Sequence, residues 1–131
     1  MHPRLAADPR VVSRDGCDAR SLTLDDIGRP VGAIVADVSF VSLIKVLDAP
    51  MRLAAPGCWL VALIKPQFEA GRQAIGKGGI VRDAEARVHA IAAVADWLGR
   101  RPGWRVVGLI DSPLAGGSGN VEALVGAMYD G

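Results

Sequence analysis

Cys58-Trp59-Leu60-Val61-Ala62-Leu63-Ile64, followed at once by Lys65-Pro66, is the stretch that decides the fold. It contains no polar break and no alternation. A strand with one wet face alternates apolar and polar residues, whereas a strand buried on both faces reads as a continuous apolar run. Working outward, Val31-Gly32-Ala33-Ile34-Val35-Ala36 is a second such run, closed by Asp37. Trp104-Arg105-Val106-Val107-Gly108-Leu109-Ile110 is a third, closed by Asp111-Ser112-Pro113. Residues 10–13 form a short β-branched stretch ending in Arg14-Asp15-Gly16, a strand followed by a turn.

The intervening segments carry helical spacing. In residues 42–55, Leu43, Val46, Leu47 and Met51 recur on one face until Pro56-Gly57 stops the pattern. In residues 83–98, Val88, Ile91, Ala92, Ala95 and Leu98 share a face, with Asp83 as N-cap. Strands that alternate with helices predict a mostly parallel, doubly wound α/β sheet. The last apolar stretch, residues 121–128, follows residues 112–119 too closely for a helical crossover. It is therefore expected as an antiparallel hairpin partner of residues 104–110.

Composition narrows the class. A chain of 131 residues suits one domain, and 50% hydrophobic with 22% charged residues describes a globular core. The apolar runs are too short to span a bilayer, and Met1-His2-Pro3-Arg4 does not open a signal peptide. Cys17 and Cys58 match no metal-ligand spacing and are expected as free thiols in the cytoplasm. A net charge of +1 is low for a protein that grips nucleic acid through a broad basic face. It suits a domain brought to RNA by another module.

Ligands of open α/β sheets bind beyond the carboxyl ends of the strands. Asp37 and Lys65 end two strands there. Glu122 begins the reversed last strand, so it falls at the same edge. Taken singly they read as a helix cap, a solvated strand end and a surface acid. Together, three charges abutting buried strands point to a site. The glycine-rich stretch Gly71-Arg72-Gln73-Ala74-Ile75-Gly76-Lys77-Gly78-Gly79 lacks the Gly-Lys-Ser/Thr of a phosphate-binding P-loop. It is either a surface loop or a substrate-side lid offering Arg72, Lys77 and Arg82 to phosphates. Arg100, Arg101 and Arg105 read as a solvated face.

Four motifs then act together. Asp37-Val-Ser-Phe-Val-Ser-Leu43, Lys65-Pro-Gln-Phe-Glu-Ala-Gly-Arg72, Gly76-Lys-Gly-Gly-Ile-Val-Arg-Asp83 and Ser112-Pro113 with Gly119-Asn-Val-Glu122 resemble, in order and spacing, the TlyA (haemolysin A) family of FtsJ-like methyltransferases. The resemblance implies a Rossmann-like methyltransferase domain that uses S-adenosylmethionine to methylate cytidine ribose 2'-hydroxyls of ribosomal RNA. It implies a Lys-Asp-Lys-Glu catalytic set, of which Asp37, Lys65 and Glu122 match the last three. Donor binding would fall to Asp15, Asp18, Ala19, Asp37 and Val38, and RNA contact to the loop residues. Met1–Arg10 resembles the family's helix after the donor-binding loop. The expectation is therefore a partial domain over residues 1–131. The first strand, its glycine-rich loop, the first lysine and an S4-type RNA-binding module would all precede residue 1. The absent strand would lie between residues 10–13 and 31–36, so self-association through an exposed strand edge, or a rearranged N-terminal third, is expected, with weak or no binding of S-adenosylmethionine. Whether Lys65 is the base or the group that orients the hydroxyl stays open, because desolvation and the flanking carboxylates act in opposite directions. The alternative function is a non-catalytic RNA- or protein-interaction remnant of the fold.

Overall fold

Four strands among the described residues, β1 (Val31–Ala36), β2 (Ala54–Ile64), β3 (Trp104–Asp111) and β4 (Ala123–Tyr129), form one sheet in the order β1-β2-β4-β3. The structure is a computed structural model that describes residues 2–39, 41–70, 84–113 and 120–131. The helices are α1 (Pro3–Ala6), α2 (Leu24–Ile27), α3 (Leu43–Met51), α4 (Pro66–Glu69) and α5 (Ala84–Arg100), with a 3-10 turn at Ala19–Ser21.

β4 enters in reverse between β2 and β3, as the short connection requires. β1 pairs with β2 in parallel, while β2–β4 and β3–β4 are antiparallel. Three strands share a direction, yet only one of three pairings is parallel. The sheet is mixed, and the expected mostly parallel ladder is corrected by that single insertion.

Register places the core. Leu60 lies across from Ala127, Ala62 from Val125 and Ile64 from Ala123. These residues and Cys58 form one buried cluster with Leu43, Leu47 and Met51 of α3 and Val94 and Leu98 of α5. Both helices thus cover the same face. The opposite face carries exposed Trp59, Val61 and Val35. The doubly wound arrangement, and burial of β2 on both faces, do not hold for the described residues. Cys58 is fully buried and burial pushes its thiol up, which makes it a packing residue rather than a nucleophile. No described helix is long and apolar enough to cross a membrane.

Two boundaries differ from the pattern reading. α3 ends at Met51, and residues 54–57 already belong to β2. The Val31 N–H bonds the Leu53 carbonyl and Val31 pairs with Ala54, so the ladder claims residues whose side chains continue the helical spacing. Pro56-Gly57 is absorbed where the β1–β2 register shifts, with Gly57 at φ 87. A bulge of this kind accommodates both the missing N–H and the positive φ. Residues 11–14 belong to no strand, and Val12 is exposed. A β-branched stretch becomes a strand only beside a partner, and the neighbouring edge of β1 is not adjacent. A cavity of about 440 Å³ lined by Arg10, Val12, Arg14, Asp26, Val31 and Gly32 separates them. α5 runs to Arg100, and its expected cap Asp83 lies outside the described residues.

Candidate active site

The β2–β4 ladder ends on the pair Ile64–Ala123. One residue beyond that rung are Lys65, directly after β2, and Glu122, directly before β4. β1 delivers Asp37 to the same edge, because its last residue, Ala36, lies beside Ala62. Topology alone therefore gathers the three residues that the sequence singled out.

Lys65 Nζ stands 2.6 Å from Asp37 Oδ1 and donates to Ser39 Oγ at 3.1 Å. Its side chain is 15% exposed and that of Asp37 62% exposed, so the pair opens towards solvent from the carboxylate side. An ammonium has three donors. Among the described residues Asp37 and Ser39 take two, leaving one N–H for a ligand oxygen. Glu122 makes no ion pair among the described residues. It is buried, and its Oε2 accepts from Gln67 Nε2 at 3.2 Å. The Ser112 N–H bonds the Glu122 carbonyl at 2.7 Å, which ties the residue to the end of β3.

The loop after Asp37 is held from the Lys65 side. Glu69, at the end of α4, accepts from Ser42 Oγ and from the Leu43 N–H, each at 2.7 Å. The Ser42 hydroxyl also accepts from the Ile44 N–H, capping α3. A carboxylate at a helix N-terminus meets both free N–H groups and the positive end of the helix dipole.

Sequence reasoning gave no role to Ser39, Gln67 or Glu69. Their partners are 26, 55 and 27 positions away, beyond the reach of periodicity. All three were visible only as members of the motifs that begin at Asp37 and Lys65.

The expected donor-binding residues are split. Asp37 is at the edge, and Val38 packs partly against the core beside it. Asp15 is exposed and accepts from Ser13 Oγ at 3.1 Å. Asp18 caps the turn that begins at Ala19 and grips Arg20, whose guanidinium holds the carboxyl below its usual range. No described contact joins Asp15, Asp18 or Ala19 to Asp37 or Lys65. Arg72, Lys77 and Arg82 lie outside the described residues. The basic cluster at the far end is paired with acids: Arg100 with Asp96, Arg101 with Asp48, and Arg105 with Asp130. Arg101 also stacks over Trp97.

Comparison with known proteins identifies the family. The family model described as FtsJ-like methyltransferase matches residues 1–129. The 16S/23S rRNA (cytidine-2'-O)-methyltransferase TlyA of Mycobacterium tuberculosis is 46% identical over 118 residues, covering 90% of this chain and 44% of the relative. Hemolysin A of Brachyspira hyodysenteriae is 35% identical over 126 residues, covering 92% of this chain and 50% of the relative. The chain thus spans about half the length of the curated relatives it matches. Among solved structures, a Lactococcus lactis protein provisionally named a hemolysin superimposes with a TM-score of 0.88 at 39% identity, over 98% of this chain and 61% of that one. With the family model matched across nearly its whole length, the chain belongs to the FtsJ-like methyltransferase family.

Proposed function

We propose that this chain forms the hydroxyl-activating part of an S-adenosylmethionine-dependent methyltransferase acting on the ribose 2'-hydroxyl of a cytidine in ribosomal RNA. The observation that carries the reading is the Lys65–Asp37 contact at 2.6 Å, with Glu122 directly before the strand that pairs with β2. A ribose hydroxyl is a weak nucleophile until its proton is removed or firmly hydrogen-bonded. Charged, Lys65 directs its spare N–H at that oxygen and stabilises the negative charge that develops there as the hydroxyl proton passes to the Glu122 carboxylate. Asp37 and Ser39 fix the ammonium's direction. Fixing the oxygen in line with the methyl group supplies much of the rate, because alignment replaces a bimolecular encounter.

The donor supplies a methyl group activated by a sulfonium. Asp37, Val38 and the exposed carboxylate of Asp15 fit such a ligand. Asp18 fits less well, since Arg20 occupies its carboxylate. The RNA-contacting role falls to Arg72, Lys77 and Arg82, and the setting of such chemistry is the cytoplasm. A second reading, a non-catalytic interaction piece of the fold, is favoured by the exposed apolar face bearing Trp59, Val61 and Val35.

The test is transfer of labelled methyl to ribosomal RNA. The chain is assayed alone and joined to the segment that precedes the matching part in its relatives, with donor affinity measured by calorimetry. In whichever form transfers, Lys65→Ala abolishes transfer and leaves donor affinity unchanged. Near-normal transfer by that variant refutes the assignment, and donor binding by neither form favours the interaction reading.

A further inference from the structure

Resting on that reading, we propose that Gln67 is a positioning residue that sets the direction of the Glu122 carboxylate at the reacting edge. Glu122 is 6% exposed and Gln67 9% exposed. A carboxylate that far from water needs a donor, and the Gln67 amide at 3.2 Å is its side-chain donor among the described residues. The amide is neutral, so it orients the acid without cancelling its charge. It occupies only Oε2. The other oxygen, Oε1, has no donor among the described residues, which leaves it for a ligand hydroxyl.

The amide's own orientation is fixed by the same contact. Turning it over would press Gln67 Oε1 against the carboxylate. The structure instead leaves that oxygen buried without a donor, a cost that only a demanding partner on the Nε2 side offsets. Pro66, fully buried, starts α4 and holds the backbone between Lys65 and Gln67. One three-residue segment therefore reaches both acids: Lys65 goes to Asp37, and Gln67 goes to Glu122. Moving either end disturbs the relation between the two carboxylates.

The experiment compares Gln67→Leu and Gln67→Glu in the methyl-transfer assay across pH. Gln67→Leu is expected to lower kcat about 10- to 100-fold, the range for a misplaced reacting group, with KM for RNA and donor affinity unchanged. Gln67→Glu keeps the shape but sets two carboxylates face to face. It is expected to be poor above neutral pH and to regain activity in acid, where one shared proton restores a donor to Glu122. Loss in KM alone, or a pH profile identical to that of the parent chain, overturns the proposal. If the parent chain transfers no methyl in either form, the functional reading has failed, and the pairing is judged by urea unfolding of the chain. Gln67→Leu should then lower the midpoint in the parent and not in Glu122→Leu; equal shifts in both backgrounds overturn it.

Discussion

Replacing Glu69 by alanine should loosen the start of α3 more than any exposed carboxylate loss could. The side chain makes two hydrogen bonds of 2.7 Å, to Ser42 Oγ and the Leu43 N–H, and both are partly buried. A hydrogen bond to a charged group contributes about 1.5–3 kcal/mol. Sharing one acceptor group and partial wetting reduce the sum, so about 2–4 kcal/mol is expected for the pair, including the helix-dipole contribution of about 0.3–1 kcal/mol. Against a total stability of about 5–15 kcal/mol this is a large share. For a domain of this size each kcal/mol moves Tm by about 4 °C, so Glu69→Ala should melt about 8–16 °C below the parent. Glu69→Gln keeps an acceptor and should lose about half as much. Ser42→Ala removes one of the two bonds together with the α3 cap and should cost about 1–2 kcal/mol. Urea and thermal unfolding followed by circular dichroism measure all three. A Glu69→Ala midpoint indistinguishable from the parent refutes the view that this carboxylate straps α3 to the Lys65 segment.

The remaining predictions concern RNA contact, pH and association. In the form of the protein that binds ribosomal RNA, Arg72→Ala with Lys77→Ala should weaken binding and flatten its salt dependence by about 1.4–1.8 in log–log slope; an unchanged slope returns the loop to a plain surface segment. The Asp26 carboxyl sits below its ordinary value of 3.8, chiefly through the backbone and side-chain hydrogen bonds from Thr23 and then through Arg14. A depressed folded pKa gives stability that is present above the unfolded value and is lost as pH falls through the folded one. The capping box at Thr23–Asp26 should therefore hold at the ordinary carboxylate value and open only as pH falls further below it, and an NMR titration into strong acid showing no change at the Thr23 and Asp26 amides contradicts this. The chain alone should self-associate with rising concentration through the free edge of β1 and the face bearing Val35, and sedimentation of a strict monomer at high concentration contradicts that.

The site was legible where chemistry follows from strand ends. Asp37 and Lys65 terminate apolar runs, and the short connection before residue 121 forces a reversal that returns Glu122 to the same edge. These inferences need only topology. The support of the site was not legible, because Ser39, Gln67 and Glu69 act across distances in sequence that no local pattern encodes. The end of α3 was misread for a related reason: Leu53 and Ala54 continue the helical spacing, but a tertiary ladder holds them extended. Residues 10–13 have the composition of a strand and no partner beside them, so propensity had nothing to act on.

The same logic explains the largest departure from expectation. The β2 run has no alternation because its composition answers to two apolar surroundings. In the described structure α3 and α5 supply only one. Trp59 and Val61 on β2, with Val35 at 71% exposure on β1, then present apolar surface to water beside a free strand edge. Each large apolar side chain withdrawn from water contributes about 1.5–3 kcal/mol, and an open edge offers a row of backbone groups for pairing. The reacting edge is little affected, because Lys65, Asp37 and Glu122 are held from the clad side, by α4 and the loop leading to α3. Association through the bare face and integrity of the Lys65–Asp37 pair are therefore separable. A charge placed at Val61 should suppress the first while leaving the second, read from the Lys65 side-chain NMR signals, as it was. Loss of both together would show that the bare face supports the site after all.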